Sequence, residues 1–219
     1  PAWSEFAVTL RRFHVEATQV AISLRPVAWT DGGELTGKAW FDDASFAQAT
    51  GVTDPIWGRW LAHPSAAVRL WVPASEQKVQ PDDRLEDSAP TVAAIAFEAA
   101  RGEVEPAQVA LLPASSGVVS SAVFSALAGP GGASIPASAL DLREVAYVPV
   151  TTPTDFASRT GLTPDPLPPF APGLAFAAGK QTPLWITLRV PADAAPGTYR
   201  GSLTLELSPG GTLQLPLEA

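Results

Sequence analysis

The strongest constraint on the fold is a strict two-residue hydrophobic period toward the end of the sequence. Ile186, Leu188 and Val190 alternate with Trp185, Thr187 and Arg189, and Pro191 stops the run. Tyr199, Leu203, Leu205 and Leu207 then share one parity, with Arg200, Ser202, Thr204 and Glu206 on the other. Pro209-Gly210-Gly211 reverses the chain, and Leu213, Leu215 and Leu217 resume the alternation. Successive side chains of a strand point to opposite faces, so this pattern buries one face of a hairpin and leaves the other in water. A helix would scatter the same leucines around its circumference.

Weaker copies of the pattern run through the rest of the chain. Val20, Ile22 and Leu24 alternate, and residues 37–46 read as a further strand. Val68, Leu70 and Val72 alternate up to Pro73, and strands are expected over 91–97, 104–112 and 140–150. The 23 prolines and 17 glycines punctuate these runs, as many short strands require. Residues 80–90 (QPDDRLEDSAP) read as an exposed acidic loop. Residues 151–183 have no clean period and read as a long ordered loop anchored by Phe156, Leu162, Leu167 and Phe170. The fold class expected is all-β: an immunoglobulin-like or jelly-roll β-sandwich with long irregular loops. It divides into strands in 1–49, a connector in 50–65 and a sandwich in 66–219.

A formal charge of -8 argues against nucleic acid, whose phosphates need a basic footprint. No apolar run approaches the roughly 20 residues of a membrane-spanning helix, so no membrane is expected as a partner. Cysteine is absent, which removes disulfide and thiolate chemistry. Methionine is absent too, and the chain starts at Pro1, as expected of a processed or partial gene product.

Several motifs occur in an informative order. They are Leu70-Trp71-Val72-Pro73, Lys78-Val79 with Pro81-Asp82-Asp83, and the run from Ala99 through Arg101-Gly102-Glu103-Val104-Glu105 to Gln108. Tyr147-Val148-Pro149-Val150, Pro164-Asp165-Pro166-Leu167 and Gln181-Thr182-Pro183-Leu184-Trp185-Ile186 follow. Together, over about residues 66–219, they resemble the N-terminal sandwich of glycoside hydrolase family 123. Members of that family are β-N-acetylgalactosaminidases that use the substrate's own N-acetyl group and an adjacent Asp-Glu pair. That pair lies on a (β/α)8 barrel after the sandwich. The resemblance implies a non-catalytic accessory region of a secreted, extracellular bacterial enzyme, with the barrel of the same polypeptide and a glycan as partners. No catalytic residue of the family is carried over to this sequence. Separately, the run Gly37-Lys38-Ala39-Trp40-Phe41-Asp42-Asp43 resembles the last strand of a carbohydrate-binding jelly roll, which makes 1–49 the closing strands of such a module. Val190-Pro191-Ala192-Asp193 with Pro196-Gly197-Thr198-Tyr199 resembles a motif of bacterial extracellular sandwiches, with the tyrosine in the core.

Candidate chemistry is sparse. Asp42-Asp43 and Asp82-Asp83 are sequence neighbours, so on strands they diverge and cannot flank one glycosidic bond. Glu103 and Glu105 share a face if Val104 is in a strand. With Arg101 they form either a solvated charged face or an interdomain contact. His14 and His63 are the only histidines and match no zinc spacing. No cofactor is expected beyond a structural Ca2+, for which Asp43 is one candidate ligand and otherwise a surface carboxylate. Trp57 and Trp60 are either sugar-stacking aromatics or packing between modules. Three functions follow: an accessory sandwich of a glycoside hydrolase, a stand-alone glycan-binding module, or a self-assembling extracellular protein completed by strand addition.

Overall fold

The computed structural model describes residues 58–62, 67–74, 77–152 and 160–219. Expectations for 1–49, for Asp43 and Trp57, for both histidines and for Phe156 lie outside them. The described residues all belong to one compact unit.

That unit is a sandwich of two sheets. The first has the order β3 (Thr91–Val92), β1 (Gly58–Leu61), β2 (Val68–Pro73), β5 (Val104–Pro113), β13 (Thr182–Arg189) and β9 (Leu140–Glu144). The second has the order β12 (Leu174–Phe176), β6 (Gly117–Phe124), β14 (Arg200–Ser208), β15 (Gly211–Glu218) and β4 (Ile95–Ala96). β7 (Leu127–Ala128) and β8 (Ser134–Ile135) extend it beside β14. β10 (Tyr147–Val150) and β11 (Gly161–Pro164) pair as a separate ribbon.

The alternation in the sequence becomes the interior. Leu70, Leu111, Leu184, Ile186 and Leu188 from the first sheet and Leu203, Leu205, Leu215 and Leu217 from the second belong to one buried cluster. β14 and β15 pair in register from Arg200↔Glu218 to Leu207↔Gly211, so Leu203 meets Leu215 and Leu205 meets Leu213 on the inner face, while Leu207 and Leu217 lie opposite Gly211 and Gly201. Tyr199 is buried in the same cluster, as the sandwich motif implied.

Several expectations are corrected. The single strand expected over 91–97 is two, and they lie in different sheets: Val92 pairs with β1 and Ile95 with β15. Ala93-Ala94 carries the chain from one sheet to the other. Gly58–Leu61, read as part of the connector, is a strand, and Trp60 sits on it. Part of the long loop forms β11 and β12, and Leu162 is 51% exposed on the ribbon instead of anchoring anything. Residues 80–90 are not merely a solvated loop, because Leu85 is buried beneath them.

Candidate functional site

Two places on the unit concentrate unusual side chains. The first is the outer face of the six-stranded sheet. β2 and β5 present their core parity inward, which leaves Trp71 and Ala110 facing out. Water does not reach them. Residues 77–90 cross this face as a strap and bury Val79 and Leu85 against Trp60, Trp71 and Ala110.

Two main-chain bonds hold the strap, from the Gln181 N–H to the Pro81 carbonyl at 2.9 Å and from the Trp60 N–H to the Pro90 carbonyl at 2.8 Å, and side chains of the sheet and its flanks hold the rest of its main chain. Gln108 Nε2 donates to the carbonyl of Gln77 at 3.1 Å. The Tyr147 hydroxyl donates to the carbonyl of Val79 at 3.0 Å. Trp60 Nε1 donates to the carbonyl of Glu86 at 2.9 Å. Trp71 Nε1 donates to Gln181 Oε1 at 3.0 Å, and Gln181 Nε2 passes the chain on to the carbonyl of Asp83 at 2.8 Å. Gln108 and Gln181 are the two buried polar side chains among the described residues. Such groups are tolerated inside only when bonded, and both are.

Charges close the edges of the strap. Lys180 pairs with Asp82, and Arg84 donates to the carbonyl of Gly179. The Lys180 hydrogen bond holds the exposed Asp82 carboxyl below its ordinary range. Arg69 pairs with Asp87 at 2.8 Å while its guanidinium lies 3.7 Å over the Trp60 ring. Trp60 is 8% exposed, with one ring face under Arg69 and its N–H bonded, so this structure gives a sugar ring no open face there.

Burial, assisted by the negative charge of Asp83, pushes the Tyr147 phenol well above its ordinary value of 10.0. A raised folded-state value favours the neutral phenol. The associated stability is complete below pH about 10 and is lost as pH rises beyond it, because the unfolded chain ionises first. Urea titrations of the chain are therefore expected to show stability falling above pH about 10, and Tyr147→Phe is expected to flatten that fall. An unchanged alkaline slope in the variant would exclude Tyr147 as its source.

The second place is a cleft of about 340 Å³ at one end of the sandwich. The tight turn Ala100–Glu103 forms one wall, and the Pro196-Gly197 turn with Tyr199 forms the other. The structure brings Arg101 into this cleft, exposed and with no ion pair among the described residues. Glu103 is committed to its own turn, where its Oε2 accepts from the Ala100 N–H at 2.6 Å. Glu105 pairs across to Leu188 and so lies on the core parity of β5, half-buried at the rim. The three residues singled out in sequence are thus close along the chain but do three different jobs. Gly129 is a feature that sequence reading missed: a β-carbon there would overlap the Tyr199 ring, so only glycine lets β7 and the tyrosine meet. No group of three His, Asp or Glu side chains that could hold a metal occurs among the described residues.

No family model matches the chain, and no curated protein matches it. A solved family 123 glycoside hydrolase from Clostridium perfringens, described for glycolipid glycan hydrolysis, is similar at 15% identity and a TM-score of 0.47, over 57% of this chain. This chain spans only 22% of that enzyme's length. The PapD-like domain 7 (ASH) of human CEP192 is similar at 12% identity and a TM-score of 0.29, over 81% of this chain and 94% of that one. The likeness to both is one of β-rich fold and says nothing of activity.

Proposed function

We propose that the chain is a non-catalytic accessory sandwich of a secreted glycoside hydrolase of the family 123 type. In this reading it orients a catalytic barrel of the same polypeptide toward N-acetylgalactosaminides or related glycans. One observation carries the reading. The residues behind the family resemblance are scattered from Leu70 to Ile186 in sequence, yet Trp71 with Gln181, Gln108 and Tyr147 all hold the one segment 77–90, through separate hydrogen bonds to Asp83, Gln77 and Val79. A chance collection of short matches has no reason to assemble in space. The cleft beside Arg101 is the seat we assign to the barrel, because it joins an uncommitted cation to an apolar wall.

The test compares this chain with the full polypeptide encoded by its gene, using a chromogenic N-acetyl-β-galactosaminide. The full polypeptide is expected to hydrolyse it, this chain is expected to be inert, and Arg101→Glu in the full polypeptide is expected to weaken activity or lower its melting temperature. Turnover by this chain alone, or a gene encoding no barrel, would end the proposal.

A further inference from the structure

We propose that the second sheet carries an open slot, between β12 and β8, that takes an extended apolar segment of a partner protein as an added strand. The inference does not depend on the enzymatic reading. It follows from which main-chain groups the sheet leaves unpaired. Tyr199 and Ala219 exchange both of their main-chain bonds. Bonded pairs recur at every second residue of an antiparallel ladder, so Leu203 and Leu205 turn their N–H and C=O groups to β15. Thr204 and Glu206 turn theirs to β6, where they meet Val123 and Ser121. The N–H and C=O groups of Ala122 and Phe124 therefore face the other way, off the open side of β6. Among the described residues nothing bonds to them there.

The slot has fixed ends. β12 covers β6 only from Gly117 to Val119, and the chain reaches it from the first sheet, where the Phe170 N–H bonds to the Leu142 carbonyl. β7 continues the row of β6 beside β14, and β8 covers that row at Leu127 and Ala128. Between these covers, residues 120–126 have no strand on their open side. The bulge at Ser120 lies at one end, and Ser121–Phe124 pair with β14 without a shift. β12 and β8 both run antiparallel to the row, and a segment in line with them exchanges four main-chain bonds with Ala122 and Phe124.

Side chains set the chemistry of that segment. Val123 is 59% exposed on the outer face of the sheet. It takes the closely spaced, non-bonded position opposite the segment's middle residue, where a β-branched partner covers it. Ala122 and Phe124 are half-buried against the core, so the residues on either side of that middle one are apolar too. Both of these must donate an N–H, which excludes proline. No charged side chain lies in Gly117–Phe124 to repel such a run. A second copy of this chain does not fit by the same edge, because its own β12 and β8 would fall where those of the first copy already lie. We therefore commit to a partner segment that carries no such covers.

The experiment titrates the full chain into the blocked, labelled peptide Lys-Thr-Val-Ile-Val-Thr-Lys and follows fluorescence anisotropy. Binding is expected with a dissociation constant below about 1 mM, and at least about ten-fold weaker when the two valine amides are N-methylated. Ala122→Pro removes one outward donor and no bond to β14, and is expected to weaken binding by a similar factor. Should that variant fail to fold, hydrogen exchange in the unaltered chain gives a second measurement. The peptide is expected to slow the Ala122 and Phe124 amides at least about ten-fold. A peptide that does not bind, that binds equally when N-methylated, or that binds without slowing these two amides overturns the proposal. Self-association of the chain that slows the same amides overturns the choice of a partner segment.

Discussion

Replacing Trp71 with alanine is expected to remove about 3–5 kcal/mol from the unfolding free energy, measured by urea denaturation. Trp71 is 0% exposed, and it joins the sheet to the strap in two ways. Its ring fills the space between Val79, Leu85 and Ala110, and its N–H holds Gln181 in the position from which that amide reaches Asp83. The alanine variant leaves a cavity and also leaves Gln181 Oε1 buried without its donor. Domains of this kind are stable by only about 5–15 kcal/mol in total, so the loss is a large share of the whole. Trp71→Phe separates the two contributions. It retains most of the ring and is expected to cost about 1–3 kcal/mol, chiefly for the unpaired carbonyl. A loss below about 1 kcal/mol in the alanine variant would mean that the strap is not packed on the sheet as described.

The second large effect belongs to the interior. Leu205 sits at the centre of β14, 0% exposed, paired to Leu213 on one side and Ala122 on the other. Leu205→Ala is expected to cost about 2–5 kcal/mol, since the surrounding leucines can close only part of the void. Val123 is the control. It lies on the neighbouring β6 but is 59% exposed on the outer face, and Val123→Ala is expected to change stability by no more than about 0.5 kcal/mol. Equal costs at the two positions would contradict the assignment of inner and outer faces.

Both predictions depend on parity, and parity is where the sequence was most legible. The leucines of β14 and β15 declare their face without help from the rest of the chain, because nothing interrupts the two-residue period. β6 was not legible for the opposite reason. In Gly117–Phe124 the register shifts where Glu206 pairs with Ser121 but Leu207 pairs with Val119, leaving Ser120 as an extra residue. That insertion turns Val119 inward and Val123 outward, so the apolar positions no longer alternate. The loop over 80–90 was legible but its anchor was not, because eleven largely polar residues hide a single leucine, and Leu85 alone sets no period. The Arg101, Glu103 and Glu105 group looked like one charged face. Gly102, at φ 76, bends the chain between them and gives Glu103 to its own turn.

By itself the sequence determined the class of fold, two apolar strand faces closing on each other, and the position of the C-terminal hairpin within it. These follow from local periodicity, which each strand carries in its own residues. Only the tertiary structure decided which distant residues meet: Trp71 with Gln181, Tyr147 with the carbonyl of Val79, Gly129 with the ring of Tyr199. Hydrogen bonds and close approaches of this kind join residues tens of positions apart, and no period along the chain encodes such a partner.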